Sequence, residues 1–348
     1  MSKVNIGIIG LGWPGQRHAE GIAASRGGVL YACSDTDDTR REAFVAAYKP
    51  KKTFVDYSKM LADPALDAAI ICLPNFLHFP VTLAALGAGK HVFCEKPPTL
   101  NVAEMRVLQE QATEQKRVYF FGRQARFSGP LLAAKQLIAD GRLGEIYFGK
   151  AVYIRSRGIP VGVGGWFTEK ARSGGGALID LGVHAIDSAW YLMGTPRPLA
   201  VSAQVFQKFA HHVKLPVNDV EDSAYGIVRF ENGAQVQFEI SWAANLTDDI
   251  PPSSWTGREL VNTILYGPKA TVRLNPLALF EDQNGELVKV EIEPAGAQNP
   301  FALQMQNFLD AINGKAEPIN NAQQAVYLME MLDAIYTSST TGREVPLA

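Results

Sequence analysis

The sequence predicts an α/β protein of two domains, a doubly wound parallel sheet followed by an α+β domain built on an open, mostly antiparallel sheet. Three observations carry this prediction. Short apolar runs alternate with longer amphipathic stretches from Val4 to Gly122, as strands and helices do in a parallel sheet. A glycine-rich turn, Gly10-Leu11-Gly12-Trp13-Pro14-Gly15, directly follows the first apolar run. Beyond Gly122 the texture changes to long β-type runs separated by turn residues. The domains are placed at 1–123 and 124–348, with the C-terminal helices able to pack back on the first.

In the first domain the strands fall at Val4–Ile9, Val29–Ser34, Thr53–Val55, Ala68–Cys72, His91–Cys94 and Val118–Gly122. Between them, stretches such as Phe79–Ala88 and Val102–Lys116 have helical length and composition, which places helices on both faces of the sheet. In the second domain a helix at Leu131–Asp140 stops at Gly141. Strand-like runs follow at Ile146–Arg157, Val201–Phe209, Ala224–Phe230, Ala234–Trp242 and Leu260–Tyr266. Glu231-Asn232-Gly233 supplies the turn between two of them. Helices are expected at Ala177–Met193, Phe301–Ile312 and Ala322–Ser338. No internal repeat or low-complexity linker stands out.

A chain of 348 residues with 47% hydrophobic residues can build two cores. The formal charge is −2, without blocks of like charge, so there is no broad basic footprint for nucleic acid. A small molecule or a second copy of the chain is the natural partner. Cys33, Cys72 and Cys94 lack the close pairing of a zinc site or disulfide framework. They read as reduced core residues of a cytoplasmic protein with no metal site. Met1–Gly12 is too short and irregular for a signal peptide, and no run of about 18 apolar residues exists to span a membrane.

The glycine motif has the G-x-G-x-x-G spacing of a Rossmann turn. Gly10 permits the tight turn, Gly12 lets the backbone approach a pyrophosphate, and Gly15 lets the helix pack on the strand. Pro14 suits the first helical turn, where its missing N–H costs nothing. Asp35 ends the next strand and would accept hydrogen bonds from ribose hydroxyls while repelling a 2′-phosphate. That favours NAD over NADP. Arg40 and Arg41, just downstream, either reach such a phosphate or belong to a solvated helix face, and the second reading is preferred.

Further motifs occur in a characteristic order. His18 follows the glycine turn; Leu73-Pro74-Asn75 with His78 follows the fourth strand; Glu95-Lys96-Pro97 follows the fifth; Asp180-Leu181-Gly182-Val183-His184 follows the glycine run Gly174–Gly176. In these features the chain resembles, over nearly its whole length, the glucose-fructose oxidoreductase / inositol dehydrogenase (Gfo/Idh/MocA) family. The resemblance implies a nicotinamide-dependent dehydrogenase of sugars or polyols, assembled as a homodimer or homotetramer. It implies that Lys96 and His184 face the nicotinamide with Asp180 beside them. In that family the Lys-Pro bond is commonly cis, which the sequence alone does not fix for Lys96-Pro97. The resemblance implies that Trp13, Leu73, Pro74, Asn75, His78, Glu95 and Pro97 line the cofactor cleft, with helix capping and packing the alternative for Asn75 and His78.

The residues support these roles independently. Lys96 ends a parallel strand, the edge where open α/β sheets bind ligands. Asp180 and His184 are four apart and share one face of a helix. Oxidising a secondary alcohol needs a base for the hydroxyl proton, and histidine titrates near neutral pH. His184 is therefore the expected base, Lys96 the electrostatic partner of the reacting oxygen, and Asp180 a group that binds substrate or orients the other two. Asp187 shares that face and reads as structural. Arg126, Tyr153, Arg155 and Trp166 are further candidate substrate residues, with Tyr153, Arg155 and Arg157 alternating along one strand face. Two arginines in the cleft would suit an anionic sugar; a subunit interface on the outer sheet face is the alternative. Competing activities on the same fold are an NAD-dependent glycosidase or lyase acting by transient oxidation, and a catalytically silent cofactor-binding regulator.

Overall fold

The computed structural model describes residues 3–162, 164–246, 252–253, 257–294 and 299–347. In chain order the first elements are β1 (Val4–Ile9), α1 (Trp13–Ala24), β2 (Gly28–Ser34), α2 (Asp38–Tyr48), β3 (Lys52–Phe54), α3 (Tyr57–Leu61), β4 (Ala68–Ile71), α4 (His78–Gly87), β5 (His91–Cys94), α5 (Val102–Glu114) and β6 (Tyr119–Phe121). There follow α6 (Gly129–Ala139), β7 (Phe148–Arg155), α7 (Lys170–Ser173), a π turn (Leu178–Gly182) and α8 (Val183–Leu192). Next come β8 (Pro198–Phe206), β9 (Ser223–Phe230), β10 (Gln235–Ser241), β11 (Pro252–Ser253), β12 (Gly257–Tyr266), β13 (Ala270–Leu274), β14 (Leu277–Gln283) and β15 (Glu286–Glu291). The chain closes with α9 (Pro300–Ile312), α10 (Ala322–Thr341) and β16 (Val345–Pro346). It divides into two compact units, Met1–Phe127 with Gln298–Val326, and Ser128–Ala297 with Tyr327–Ala348.

The first unit is a six-stranded parallel sheet in the order β3-β2-β1-β4-β5-β6. Its central strands are buried along nearly their whole length because helices cover both faces. The order reverses between β1 and β4, the switch point outside which such sheets bind ligands. One side of the core is aromatic: Phe93 stacks on Phe120 at 4.9 Å, and Phe308 of α9 closes on both at 5.7 and 5.6 Å. The C-terminal segment thus completes this core, and α9 lies so close to α1 that a Cβ on Gly21 would meet the Phe301 carbonyl oxygen at 2.9 Å.

Arg126 secures the same segment. Fully buried, it donates from Nη1 to the Ile319 carbonyl at 2.8 Å and to Gln324 Oε1 at 2.5 Å, and its guanidinium lies over the Phe121 ring. Asn320 exchanges hydrogen bonds with the Phe121 backbone. A guanidinium so enclosed has no surface to offer a substrate, so we assign Arg126 this bracing role in place of the expected substrate contact.

The second unit is a ten-stranded mixed sheet, ordered β15-β14-β13-β12-β7-β10-β9-β8-β16, with β11 pairing β12. Only β7 and β10 pair in parallel among its described strands, so the sheet is mostly antiparallel as predicted. The Glu231-Asn232-Gly233 turn joins β9 to β10 with Gly233 in the left-handed region. Helix α8 packs on β7, β10 and β12, with Trp190 fully buried and its indole N–H donating to the Pro196 carbonyl at 2.8 Å. The long helix expected at Ala177–Met193 is instead a π turn leading into α8. Strand β7 ends at Arg155, two residues before Arg157, which is exposed and hydrogen-bonded to the Ala244 carbonyl and Asn245 Oδ1. The three-residue face expected at 153, 155 and 157 therefore holds only its first two members. Among the described residues no helix is long and apolar enough to cross a membrane.

His91, at the start of β5, links the sheet to pH. Its Nδ1 accepts from the Val118 backbone N–H at 3.0 Å. Burial, reinforced by the Arg117 charge, pulls its pKa down to about 4. In the unfolded chain it titrates near 6.5, so between about pH 6.5 and 4 the unfolded state binds the additional proton and stability falls on acidification. His91→Asn, which keeps an acceptor and cannot be protonated, should give a shallower decline of melting temperature across that window. An unchanged slope would remove His91 from the acid response.

Candidate active site

In the first unit the glycine turn emerges from β1 and enters α1. Gly10 has φ +90°, and a Cβ there would run into the Cys72 carbonyl oxygen; one on Gly15 would strike the Gly10 carbonyl oxygen. At Gly12 a Cβ would meet only the edge of Pro14, at 3.9 Å. The backbone is therefore open on the side where the motif expects a pyrophosphate, and no side chain caps α1. Trp13 is half exposed, edge-on to Phe301 and beneath the Arg17 guanidinium.

Asp35 closes this turn from the end of β2. Its Oδ2 accepts from the Leu11 N–H at 2.9 Å and its Oδ1 from the Asp37 N–H at 3.0 Å. Arg40 pairs with the same carboxylate at 3.2 Å and with Asp37 at 3.6 Å. Arg41 pairs with Asp38 and donates to the Asp35 carbonyl at 2.8 Å. Both arginines are thus engaged by local acids. These groups fit a dinucleotide with free ribose hydroxyls: an open glycine backbone, an uncapped helix N-terminus and an acid at the end of β2.

Across the switch point, Leu73 and Pro74 lead from β4 into a 3-10 turn at Asn75–Leu77, in which Asn75 is buried. His78 begins α4 and is also buried. Its Nδ1 lies 2.6 Å from the Pro97 carbonyl oxygen and its Nε2 2.7 Å from that of Leu73. It ties the loop after β4 to the loop after β5. Burial holds its pKa below the ordinary value, against the two carbonyls that favour the charged ring. The Lys96-Pro97 peptide is cis. Glu95 accepts from His18 Nε2 at 2.7 Å through Oε1 and from the Lys96 N–H at 3.1 Å through Oε2. Burial acts to raise its pKa, but His18 and the Lys96 amide outweigh it and leave the carboxyl below its usual value. His18 Nδ1, fully buried, has no hydrogen-bond partner among the described residues. Lys96 is half-buried at the end of β5.

In the second unit the Gly174–Gly176 run exists for close packing. A Cβ on Gly175 would strike the Tyr336 hydroxyl, and one on Gly176 the Glu221 carbonyl oxygen. Glu221 Oε1 then accepts from the N–H groups of Gly176 and Leu178 at 2.8 and 2.9 Å, and from the Tyr336 hydroxyl at 2.9 Å. Burial raises the Glu221 pKa, opposed by these donors. This carboxylate holds the start of the π turn, in which the Val183 N–H reaches back five residues to the Leu178 carbonyl. Such turns occur often at functional sites.

Asp180 lies within the π turn and His184 in the first turn of α8, both half-buried. The Trp242 indole N–H donates to Asp180 Oδ2 at 3.0 Å, and Arg155 Nη1 stands 3.6 Å from the same oxygen. Arg155 Nε donates to Glu259 Oε1 at 2.6 Å, and its Nη2 to the Tyr153 hydroxyl at 3.3 Å. Burial lowers the Arg155 pKa, but Asp180, Tyr153 and Glu259 together raise it overall. Burial pushes the Tyr153 hydroxyl above its ordinary value, which keeps it neutral. The Tyr153 and His184 rings are 6.3 Å apart. Trp166 occupies a 3-10 turn with its ring on Phe167 at 4.0 Å, and Asp187 is fully buried.

The structure thus gathers Tyr153, Arg155, Asp180 and His184 in the second unit, and the glycine turn, Asp35, His78, Glu95 and Lys96 at the carboxyl edge of the first sheet. The sequence reading gave no role to Glu221, Tyr336, Trp242 or Glu259. Only Glu259 has a possible signal, as the directly opposed cross-strand partner of Arg155, and that requires the register.

Comparison with known proteins identifies the family. Residues 4–123 match an oxidoreductase family with an NAD-binding Rossmann fold, and residues 131–273 match the GFO/IDH/MocA C-terminal domain. The chain is 30% identical to the D-glucoside 3-dehydrogenase of Escherichia coli, over 99% of this chain and 98% of that one. It is 26% identical to the 1,5-anhydro-D-fructose reductase of Ensifer adhaerens, over 97% and 96%. The crystal structure of an aldose-aldose oxidoreductase from Caulobacter crescentus superposes with a TM-score of 0.83 at 25% identity, covering 99% and 100% of the two chains. With both of its domains matched and a relative aligned almost end to end, the chain belongs to the Gfo/Idh/MocA family and is an oxidoreductase with an NAD-binding Rossmann domain.

Proposed function

We propose that this chain oxidises a secondary hydroxyl of a sugar, sugar derivative or polyol using NAD, with Lys96, Asp180 and His184 as its catalytic residues. The observation that carries the reading is that Asp180, held by Trp242 and Arg155, stands in the π turn four residues before His184, which opens α8 beside the Tyr153 ring. Similarity to enzymes named as acting on a D-glucoside and on 1,5-anhydro-D-fructose supports the substrate class.

When bound, the nicotinamide supplies a two-electron acceptor for the hydride that leaves the substrate carbon. His184 takes the hydroxyl proton, so that the C–O bond becomes a carbonyl. The Lys96 ammonium hydrogen-bonds to the same oxygen and stabilises its developing negative charge. Asp180 accepts a hydrogen bond from a neighbouring substrate hydroxyl. Glu95, through the Lys96 amide and His18, fixes the loop that presents Lys96.

The test is NADH appearance at 340 nm against inositols, aldoses, uronic acids and anhydro sugars. Lys96→Ala and His184→Ala should each lower kcat by about 10² to 10⁴ while NAD binding persists. Turnover undiminished in either variant would overturn its role. Bound NAD without net NADH on any sugar would instead favour an enzyme that oxidises transiently.

Cofactor choice rests on Asp35. The wild-type protein should prefer NAD over NADP, and Asp35→Ser, which removes the ribose acceptor and releases Arg40, should reduce that preference by about tenfold or more. A ratio of kcat/KM values that does not move would take cofactor selection away from Asp35.

A further inference from the structure

An arginine among candidate substrate-binding residues ordinarily suggests a carboxylate or phosphate on the substrate. Arg155 is arranged otherwise. Each of its three guanidinium nitrogens has a protein oxygen within reach: Nε on Glu259 at 2.6 Å, Nη2 on Tyr153 at 3.3 Å and Nη1 at 3.6 Å from Asp180. Its side chain is only 14% exposed, and those of Asp180 and Glu259 are 13% and 17% exposed. Low exposure limits solvent screening of this cluster. Two carboxylates face one guanidinium, and Tyr153 adds a neutral hydroxyl. The group offers acceptors and no uncommitted positive charge. Glu259 makes the difference, because it sits directly opposite Arg155 in the β7–β12 register and takes the shortest of the three contacts.

We propose that Glu259 is a specificity-determining residue: by occupying Arg155 it makes this site select uncharged, hydroxyl-rich substrates and reject uronates and sugar phosphates. The inference deepens the dehydrogenase reading and rests on it for the identity of the site. An incoming carboxylate would displace Glu259 from Arg155 or lie beside two like charges, and either disfavours it. A neutral sugar hydroxyl donates to Asp180 or Glu259 without disturbing the cluster.

A matched pair of substrates tests this, a methyl glycoside and the glycoside in which its CH2OH is a carboxylate. kcat/KM is measured by NADH formation, and binding of each sugar to the NADH-loaded protein by calorimetry. The wild-type protein should favour the neutral sugar by about tenfold or more in both measurements. Glu259→Gln keeps the shape and should narrow that ratio about tenfold, mainly through a lower KM for the uronate. Equal or better handling of the uronate by the wild-type protein would overturn the proposal, as would an unchanged ratio in folded Glu259→Gln. Selective binding of the neutral sugar without turnover would support the selectivity and overturn the dehydrogenase reading instead. If Glu259→Gln does not fold, Glu259→Asn is the second variant, and an unchanged ratio there overturns the proposal equally.

Discussion

Carboxylates with little exposure anchor the loops that carry the candidate functional residues, each binding backbone amides as well as a side chain: Arg40 for Asp35, His18 for Glu95 and Tyr336 for Glu221. Asp35 binds the Leu11 amide, Glu95 the Lys96 amide, and Glu221 the amides of Gly176 and Leu178. Each loop leaves a strand or enters a helix, where backbone donors lack regular partners. A hydrogen bond to a charged acceptor contributes about 1.5–3 kcal/mol, enough to hold a short loop in one conformation. The glycine turn, the lysine loop and the π turn depend on these anchors for their shape.

The same acids set the electrostatics. Asp35 holds Arg40 beside the glycine turn, and Asp180 and Glu259 enclose Arg155. Glu95 stays ionised because His18 and the lysine-loop amide offset the cost of its burial. His78 adds a further cross-tie between the loops after β4 and β5, the strands on one side of the switch point. Rigidity at the edge of the first sheet therefore comes from polar contacts, while the aromatic cluster of Phe93, Phe120 and Phe308 supplies the packing beneath.

Much of this was legible in the sequence. Strands β1 and β5 match their expected limits, because an apolar run bounded by turn residues has few alternative readings. The glycine spacing located the turn that Gly10 and Gly15 now make. Arg126 misled because an arginine near a domain boundary looks available, whereas residues about 190 positions later enclose it. Arg157 misled because alternation was extended past the end of β7. The π turn left no trace in the pattern, since one widened turn barely alters helical periodicity.

By itself the sequence determined the fold class, the succession of the six strands of the first domain and the motifs at the strand ends, all of which depend on local periodicity and on residues close together along the chain; strands β13 to β15 of the second domain escaped it. Only the tertiary structure decided that α9 completes the first core, that Glu221 and Tyr336 hold the π turn, and that Glu259 takes up Arg155. These contacts join residues from about 40 to more than 200 positions apart. Their existence depends on strand register and close packing, which side-chain periodicity constrains to a face but not to a partner.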